Sequence, residues 1–126
     1  MATESKRLVE FVAKLNRMTQ EGHIDWEMLT LPGYIADNMD GKIAMFFGAM
    51  VHERYLGLYV RRYTDFHPLD GEMAWMEQPE LAICNEDWMP VWKFPSVSGI
   101  PELLEAVKRH WSGADHFIDS FLAEDD

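Results

Sequence analysis

The stretch KIAMFFGAMVHERYLGLYVRRY, from Lys42 to Tyr63, decides the fold. Its first part, Lys42 to Val51, is mostly apolar; a helix is possible there, but Gly48 and the adjacent phenylalanines favour a strand. The second part alternates with the period of a strand, so that one face carries Leu56, Leu58 and Val60 and the other carries Tyr55, Tyr59, Arg61 and Tyr63. Because the polar break at 52–54 lies between the two parts, we predict a β-hairpin with its Leu/Val face inward.

Further short segments with strand character flank this hairpin. Upstream, Ile24, Trp26 and Met28 alternate with acidic residues. Downstream, turn residues at 78–79 and 87–90 separate three strand candidates, which are Met73–Met76, Leu81–Asn85 and Val91–Phe94. Regular spacing with turn signals is typical of an antiparallel meander, and we predict a meander of about five to six strands.

An amphipathic helix is predicted on either side of the meander. Residues 4–21 carry apolar side chains at steps of three and four, and Gly22 follows at the position of a left-handed C-terminal cap. Residues 101–122 keep one helical phase through six apolar residues, namely Leu104, Val107, Trp111, Ala114, Ile118 and Phe121. Because this phase runs through Gly113, we predict one long helix, in which the glycine costs about 1 kcal/mol relative to alanine. The acidic tail, residues 123–126, is expected to fray.

The composition fits one folded domain, residues 1–126. The chain is 48% hydrophobic and 26% charged, which are ordinary values for a globular protein and exclude a disordered one. Its one cysteine, Cys84, excludes an internal disulfide and a cysteine-based zinc site. No uncharged apolar run reaches the roughly 18 residues of a transmembrane helix, and the first residues lack a signal-peptide core. The sequence therefore predicts a cytoplasmic α+β domain.

Acidic residues outnumber basic ones by 22 to 11, which gives a formal net charge of −11. The excess lies in two segments without Lys or Arg: Tyr63–Trp92 with seven acids and His110–Asp126 with five. Such a field repels phosphate, so we expect no binding to nucleic acid or to an anionic membrane. It would attract a basic protein partner and speed their encounter. Plain solubility is the alternative role of the same charge.

Two ends of the chain carry a resemblance to known sequences. Residues 15–27, LNRMTQEGHIDWE, form a helix–Gly–x–Ile–x–Trp–Glu step, and the closing residues include Trp92–Pro95, Leu103–Val107 and Phe117–Leu122. In these features the chain resembles a group of small uncharacterised bacterial proteins that open with a helix, continue as an antiparallel meander and close on a helix. The resemblance covers the ends better than the middle. It implies the α+β layout and no reaction.

The motifs of common chemistries are not found in the sequence. There is no glycine-rich phosphate loop, no G-x-S-x-G and no H-E-x-x-H. The best metal candidates are His110, Asp115, His116 and Asp119, but only two of these share a helix face, so no metal site is predicted. His67 lies in a turn rich in polar residues, and Cys84 is expected to be a buried, inert thiol. We predict no catalytic residue and no cofactor.

Aromatic residues point to a binding surface instead. Trp75 and Trp88 lie within the acidic segment, beside four carboxylates, Glu72, Glu77, Glu86 and Asp87. Tryptophan is enriched at the centres of protein interfaces, although it also fills small cores. We expect Trp26, Trp92 and Trp111 to be core residues, and one of Trp75 and Trp88 to be exposed. The basic doublet Arg61–Arg62 could contribute an interface salt bridge.

The sequence thus predicts a non-enzymatic protein–protein interaction domain of bacterial or phage type. It would act as an adaptor or as an acidic inhibitor of a basic partner, and a homodimer is left open. The alternative is a small-molecule-binding or enzymatic α+β domain. That alternative needs a pocket between the sheet and the helices, for which the candidate lining residues are Tyr59, Tyr63, His67 and Trp75.

Overall fold

The computed structural model describes residues 2–36, 41–66, 69 and 71–124, with side chains from residue 6 onward. Its helices are α1 Ala2–Gln20, α2 Gly33–Ala36, α3 Ile100–Ser112 and α4 Ala114–Ala123. Its strands are β1 Glu27–Met28, β2 Lys42–Val51, β3 Arg54–Phe66, β4 Met73–Cys84 and β5 Pro90–Lys93. Within the described residues these strands form one antiparallel sheet in the order β1-β2-β3-β4-β5. The predicted α+β class and its meander are confirmed.

The chain divides into two compact units. A helical unit takes residues 1–26 and 97–126, and a sheet unit takes residues 27–96. The prediction that residues 1–126 fold as one domain concerns cooperativity and stays a prediction. The last two residues of the acidic tail lie outside the described residues.

In the helical unit, α1 packs against α3. Their buried apolar side chains are Val12 and Leu15 from α1 and Ile100, Leu103, Leu104 and Val107 from α3. The buried Thr19 hydroxyl donates to the Leu15 carbonyl (2.7 Å) and accepts from the Trp26 indole N–H (3.0 Å). The predicted cap of α1 is confirmed: Gly22 has φ +77°, its N–H bonds to Thr19 O, and His23 N–H bonds to Met18 O.

The prediction of one unbroken helix over residues 101–122 is wrong. Gly113 takes the left-handed conformation (φ 70°, ψ 24°), and its N–H bonds to His110 O as a cap of α3. A new helix, α4, begins at the next residue. Apolar phase alone did not reveal the break, because glycine adopts positive φ without the steric cost that other residues meet.

The predicted hairpin is confirmed, with β2 and β3 joined at His52 and Glu53. Both residues have positive φ (51° and 65°), which matches the turn that the twist of a two-residue hairpin favours. The Leu/Val face is buried as predicted, with Leu56 3% and Leu58 0% exposed, but the opposite face is covered as well, because Tyr59 on it is also fully buried. Tyr59 belongs to a cluster with Phe46, Ala82 and Cys84.

Two of the predicted short strands, Met73–Met76 and Leu81–Asn85, are one strand, β4. The apparent separator Pro79 pairs with Val60 inside it. Leu81 O accepts a hydrogen bond from Phe94 N–H (2.8 Å), so the backbone groups of Leu81 point away from β3. The backbone groups of Pro79, two residues earlier, point to the same outer side. The N–H group that proline lacks would therefore not bond to β3, and the pairing of β3 with β4 is intact.

The upstream segment also differs from the prediction. Ile24 and Trp26 are buried but not in a strand; β1 contains only Glu27 and Met28. The short helix α2 follows and was not expected. Among the predicted core tryptophans, Trp26 is 5% exposed, whereas Trp92 and Trp111 are about half exposed, so the prediction is wrong for those two. Among the described helices, none has the length and apolar character needed to cross a membrane.

Candidate functional site

At the end of the β3–β4 hairpin away from the β2–β3 turn, where β3 ends and β4 begins, three apolar side chains are exposed on one face of the sheet. Phe66 pairs with Met73, and Thr64 pairs with Trp75, in the antiparallel register. Phe66, Met73 and Trp75 are 57%, 62% and 63% exposed. We call these three residues the hairpin patch. Cross-strand and diagonal neighbours on one face are in reach of each other, so the patch is a single apolar surface.

Charged side chains border the hairpin patch on its β2 and β3 side. The Lys42 ammonium lies 5.8 Å from the centre of the Trp75 ring, within the range of a cation–π contact. Arg62 Nε donates to Glu77 Oε1 at 2.9 Å, and both side chains are about half exposed. The Trp75 ring is therefore oriented by neighbours while most of its surface remains open.

The outer edge of β4 beside the patch is unpaired within the described part of the chain. Strand β5 pairs with β4 only at Ala82, Ile83 and Cys84. Because alternate residues point their backbone groups to the same side, the N–H groups of Met73, Trp75 and Glu77 point outward, as at Leu81. An open edge of this kind can accept another strand.

The opposite face of the sheet holds a buried polar cluster. Glu80 is 9% exposed at its side chain and contacts Arg61 Nε at 2.9 Å and Lys93 Nζ at 3.5 Å. Arg61 also lies over the Tyr63 ring, 4.3 Å from its centre. Two cations thus compensate one buried carboxylate, and the arrangement is that of a structural ion cluster.

The Tyr59 hydroxyl is buried beside this cluster. Its pKa is raised well above the usual value, first by burial and then by the negative charge of Glu80. The hydroxyl therefore stays protonated. It is near enough to Glu80 for a weak interaction, but neither Tyr59 Oη nor Glu80 Oε1 has a hydrogen-bond partner of good geometry within the described residues. Tyr59 packs mainly through its ring, stacked on Phe46 at 5.3 Å.

The two candidate tryptophans have different surroundings. Trp88 has a positive φ of 68° in a loop held by Asn85, whose side-chain oxygen accepts the N–H groups of Asp87 and Met89. Its ring meets Tyr55 edge-on at 5.0 Å and packs so closely on Gly48 that a Cβ there would lie 2.7 Å from it. Trp88 is thus a packing residue, and Trp75 is the exposed one that the sequence led us to expect.

The remaining candidate residues are dispersed. Glu72 is exposed immediately before β4, and Glu86 and Asp87 are exposed in the turn after it. The Arg61–Arg62 doublet is engaged within the sheet, since its two members bind Glu80 and Glu77 on opposite faces. Both cations are thus held by carboxylates of this chain.

The pocket residues proposed for the alternative do not come together. Tyr59 and Tyr63 lie on one face of β3, whereas Trp75, paired with Thr64, lies on the other. His67 lies outside the described residues. A groove of about 720 Å³ instead lies in the helical unit, beside α1 and α3. Its lining mixes Pro101 and Ala106 with polar side chains, of which Gln20 bonds to Asn16 and Arg109 to Asp115, and it does not include the four residues of the predicted pocket.

Neither a metal centre nor a reactive thiol is found within the described residues. No group of three His, Cys, Asp or Glu side chains there is placed to hold an ion, and Asp115 pairs with Arg109 at 2.6 Å. Cys84 is buried, as predicted, and burial raises the pKa of its thiol to about 11 despite a hydrogen bond from the Gly57 backbone.

Sequence reasoning missed one feature of the site, the open edge of β4. Its signal was present, because Pro79 within a long alternating run marks a strand whose outer side is unpaired. Comparison of the chain with protein-family models, with curated proteins and with solved structures found no match.

Proposed function

We propose that this protein is a non-enzymatic protein-binding domain that holds a basic, extended segment of its partner along the outer edge of β4. The hairpin patch anchors that segment. The observation that carries the proposal is the exposed Trp75 with Met73 and Phe66 beside an unpaired strand edge.

The hairpin patch supports a protein partner. Large apolar side chains clustered on a surface commonly mark interaction sites, and tryptophan is the residue most enriched among those that dominate binding energy. The Lys42 ammonium, 5.8 Å from the centre of the Trp75 ring, favours one orientation of the ring and so reduces the conformational freedom that is lost when a partner covers it.

The edge of β4 supports an extended partner segment. A strand added there would bond to the outward N–H and C=O groups of Met73, Trp75 and Glu77. Alternate side chains of the added strand would then lie on the face that carries the hairpin patch. Pro79 limits the docking length, because it offers no N–H to a partner.

The charge supports a basic segment. Glu72 immediately precedes β4, Glu77 lies two residues after Trp75 and is paired with Arg62, and the segment Tyr63–Trp92 contains seven acids without Lys or Arg. Complementary charge steers encounter and discriminates against acidic partners. We therefore propose that the basic partner expected from the sequence, for an adaptor or an inhibitor, binds at the hairpin patch and the adjacent edge of β4.

Peptide selection tests this proposal directly. Random peptides displayed on phage are selected on the full chain, and the enriched peptides are then tested for binding to the Trp75→Lys variant. Val91→Lys is the matched control, because Val91 is 59% exposed and lies in β5, outside the patch. We expect enriched peptides that are basic and alternate in hydrophobicity, and that bind the control and the original chain equally. Enrichment of acidic peptides, or binding unaffected by Trp75→Lys, would refute the proposal.

A further inference from the structure

The open stretch of the β4 edge is short, and the sheet unit shows both of its limits. Toward β5, Phe94 N–H donates to Leu81 O at 2.8 Å, and the side chain of Gln78 donates to Ser96 Oγ at 2.9 Å. The chain's own residues thus lie along the outer side of β4 as far as Gln78. At the other limit, β4 begins at Met73. A docked segment therefore pairs with the five residues of β4 that precede Gln78.

The face of this stretch that carries the hairpin patch is bordered by cations. Lys42, Arg62 and Glu77 form one row across β2, β3 and β4. Arg62 Nε binds Glu77 at 2.9 Å, and the Lys42 ammonium lies 5.8 Å from the centre of the Trp75 ring. Because this row holds two cations and one carboxylate, a cationic side chain of a partner would meet repulsion on the patch face.

The opposite face of the same stretch carries a carboxylate. Asp65 pairs with Ala74, and because successive residues of a strand alternate, both lie on the face away from Trp75. Asp65 is exposed, and its Oδ1 accepts the N–H of Phe66 at 2.8 Å. Ala74 has a side chain of one methyl group, so it does not separate this carboxylate from a strand docked on the outer side of β4.

We propose that Asp65 selects a basic side chain of the partner: the residue of the docked segment opposite Ala74 is Lys or Arg, and it pairs with Asp65 across Ala74. The inference rests on the proposed function, whose site it refines. The docked strand and β3 are two strand spacings apart, about 10 Å. Lysine and arginine cover such a distance by laying their methylene stems along an apolar surface, here Ala74 and the neighbouring Met76, which is 41% exposed.

The next position on the same face does not offer this pairing. Met76 pairs there with Tyr63, and the Arg61 guanidinium lies 4.3 Å from the centre of the Tyr63 ring. A cation of the partner opposite Met76 would therefore approach a like charge. The preference for a basic residue is thus specific to the position opposite Ala74.

This preference fixes the order of residues in the partner. Side chains of an added strand alternate between the two faces of the sheet whether the strand runs parallel or antiparallel to β4. The partner residue opposite Trp75 lies on the patch face, and the partner residue opposite Ala74 is its immediate neighbour in sequence. The partner segment therefore carries Lys or Arg directly beside its apolar anchor.

Double-mutant cycles with the selected peptides test this pairing. Dissociation constants are measured for the original chain and for Asp65→Asn, with each peptide and with peptide variants in which one Lys or Arg at a time becomes Gln. We expect Asp65→Asn to weaken binding about three- to fivefold, and one basic residue of the peptide to account for that loss.

Two controls accompany these cycles. Asn at position 65 keeps an oxygen that can accept the Phe66 N–H, so the unfolding midpoint of Asp65→Asn should equal that of the original chain. Asp87→Asn makes the same change of charge at an exposed residue in the turn after β4, and it should couple to no single residue of the peptide.

The place of the coupled residue in the peptide decides the outcome. It should be the immediate neighbour of the apolar residue whose truncation is coupled to Trp75→Ala. A loss spread over all basic residues, or coupling to a residue two positions from the anchor, overturns the inference while binding still depends on Trp75, which leaves the proposed function intact. Peptides that bind independently of Trp75 refute the proposed function and this inference with it.

Reversal of the charge is an independent test. Selection on the Asp65→Lys chain should enrich Asp or Glu beside the apolar anchor, in place of Lys or Arg. Continued enrichment of basic residues at that position would overturn the inference.

Discussion

The two halves of the β3–β4 hairpin have the same register but opposite exposure. Near the β2–β3 turn, Leu56, Leu58, Leu81 and Ala82 are at most 3% exposed. At the far end, Phe66, Met73 and Trp75 are more than half exposed although they are as apolar. The alternation of residues along a strand therefore predicts which residues share a face, but it does not predict whether that face is buried.

The change from buried to exposed side chains along the hairpin coincides with two ion pairs. Arg61 binds Glu80 on one face and Arg62 binds Glu77 on the other, in adjacent rows of the ladder. The first pair is mostly buried and the second is exposed. The boundary between the buried half and the exposed half thus lies at the Val60–Pro79 row and the rows beside it.

The largest expected effect is on the buried half. Leu81 is fully buried, so Leu81→Ala should lower the free energy of unfolding by about 2–5 kcal/mol through lost burial and a cavity. The matched change in the exposed half, Met73→Ala, should stay within about 0.5 kcal/mol. Urea unfolding followed by tryptophan fluorescence measures both. Equal losses would show that the far half is also packed in solution.

The second effect is on ionisation in the buried half. Because the pKa of Cys84 is raised in the folded state to about 11, the folded chain binds this proton more tightly than the unfolded one. Stability is fully present below about pH 9 and should fall by about 2 kcal/mol as the pH rises toward 11. Tyr59, whose pKa is also raised, adds to the fall at higher pH.

Unfolding midpoints measured across this pH range test whether Cys84 causes the fall in stability. The variant Cys84→Ala should make the free energy of unfolding less dependent on pH.

The rate of reaction with thiol reagents compares the two halves of the hairpin. Cys84 should react at least about a hundredfold more slowly than a cysteine introduced as Met73→Cys in a Cys84→Ala chain, since a pKa two units higher alone reduces the thiolate that much. Similar rates would mean that the two halves open equally.

The third effect separates the two boundary ion pairs. Arg61→Met leaves the buried Glu80 with Lys93 alone and should cost about 1–3 kcal/mol. Arg62→Met removes only an exposed pair and should cost less than about 1 kcal/mol. Chemical unfolding of the two variants, which differ by one position in the chain, decides the matter. If Arg62→Met lowers the free energy of unfolding more than Arg61→Met does, the boundary between the buried and exposed halves of the hairpin does not lie at these ion pairs.

The limits of sequence reasoning follow from the same comparison. Periodicity revealed α1 and the β2–β3 hairpin, because each depends on local pattern. The C-terminal break was missed because it changes the backbone conformation of one residue, Gly113, while the apolar phase continues on both sides of it. Pro79 was taken for a separator because the sequence does not reveal which side of a strand has a neighbour.

Which of the two candidate tryptophans is exposed depends on tertiary packing, which the sequence does not show. Trp75 and Trp88 have similar acidic neighbours in the sequence, yet Trp88 lies against Gly48 and Tyr55, while Trp75 is open. Glycine at position 48 makes that contact possible, and its distance of 40 positions from Trp88 hides the link from any local window.

The fourth effect is on binding rather than folding. Trp75→Ala should change the free energy of unfolding by less than about 0.5 kcal/mol, because its ring is 63% exposed. With a selected basic peptide it should speed dissociation about tenfold or more, as loss of an anchor does. Surface plasmon resonance measures the rates. Trp88→Ala, in contrast, should lower stability first, and the reverse pattern for the two tryptophans would refute the assigned roles.

The smallest effect on folding is expected from neutralising four acids together, Glu72→Gln, Glu77→Gln, Glu86→Gln and Asp87→Asn. Exposed charges contribute little to stability, so the unfolding midpoint should hardly move. Association with a basic peptide should nevertheless slow at low salt, because long-range attraction raises the encounter rate. The difference from the original chain should vanish as the Debye length shrinks from about 10 Å at 0.1 M salt to about 3 Å at 1 M. An unchanged association rate would mean that these acids serve solubility alone. A loss of folding would mean that they are structural, and that the acidic half of the hairpin does not act as a binding surface.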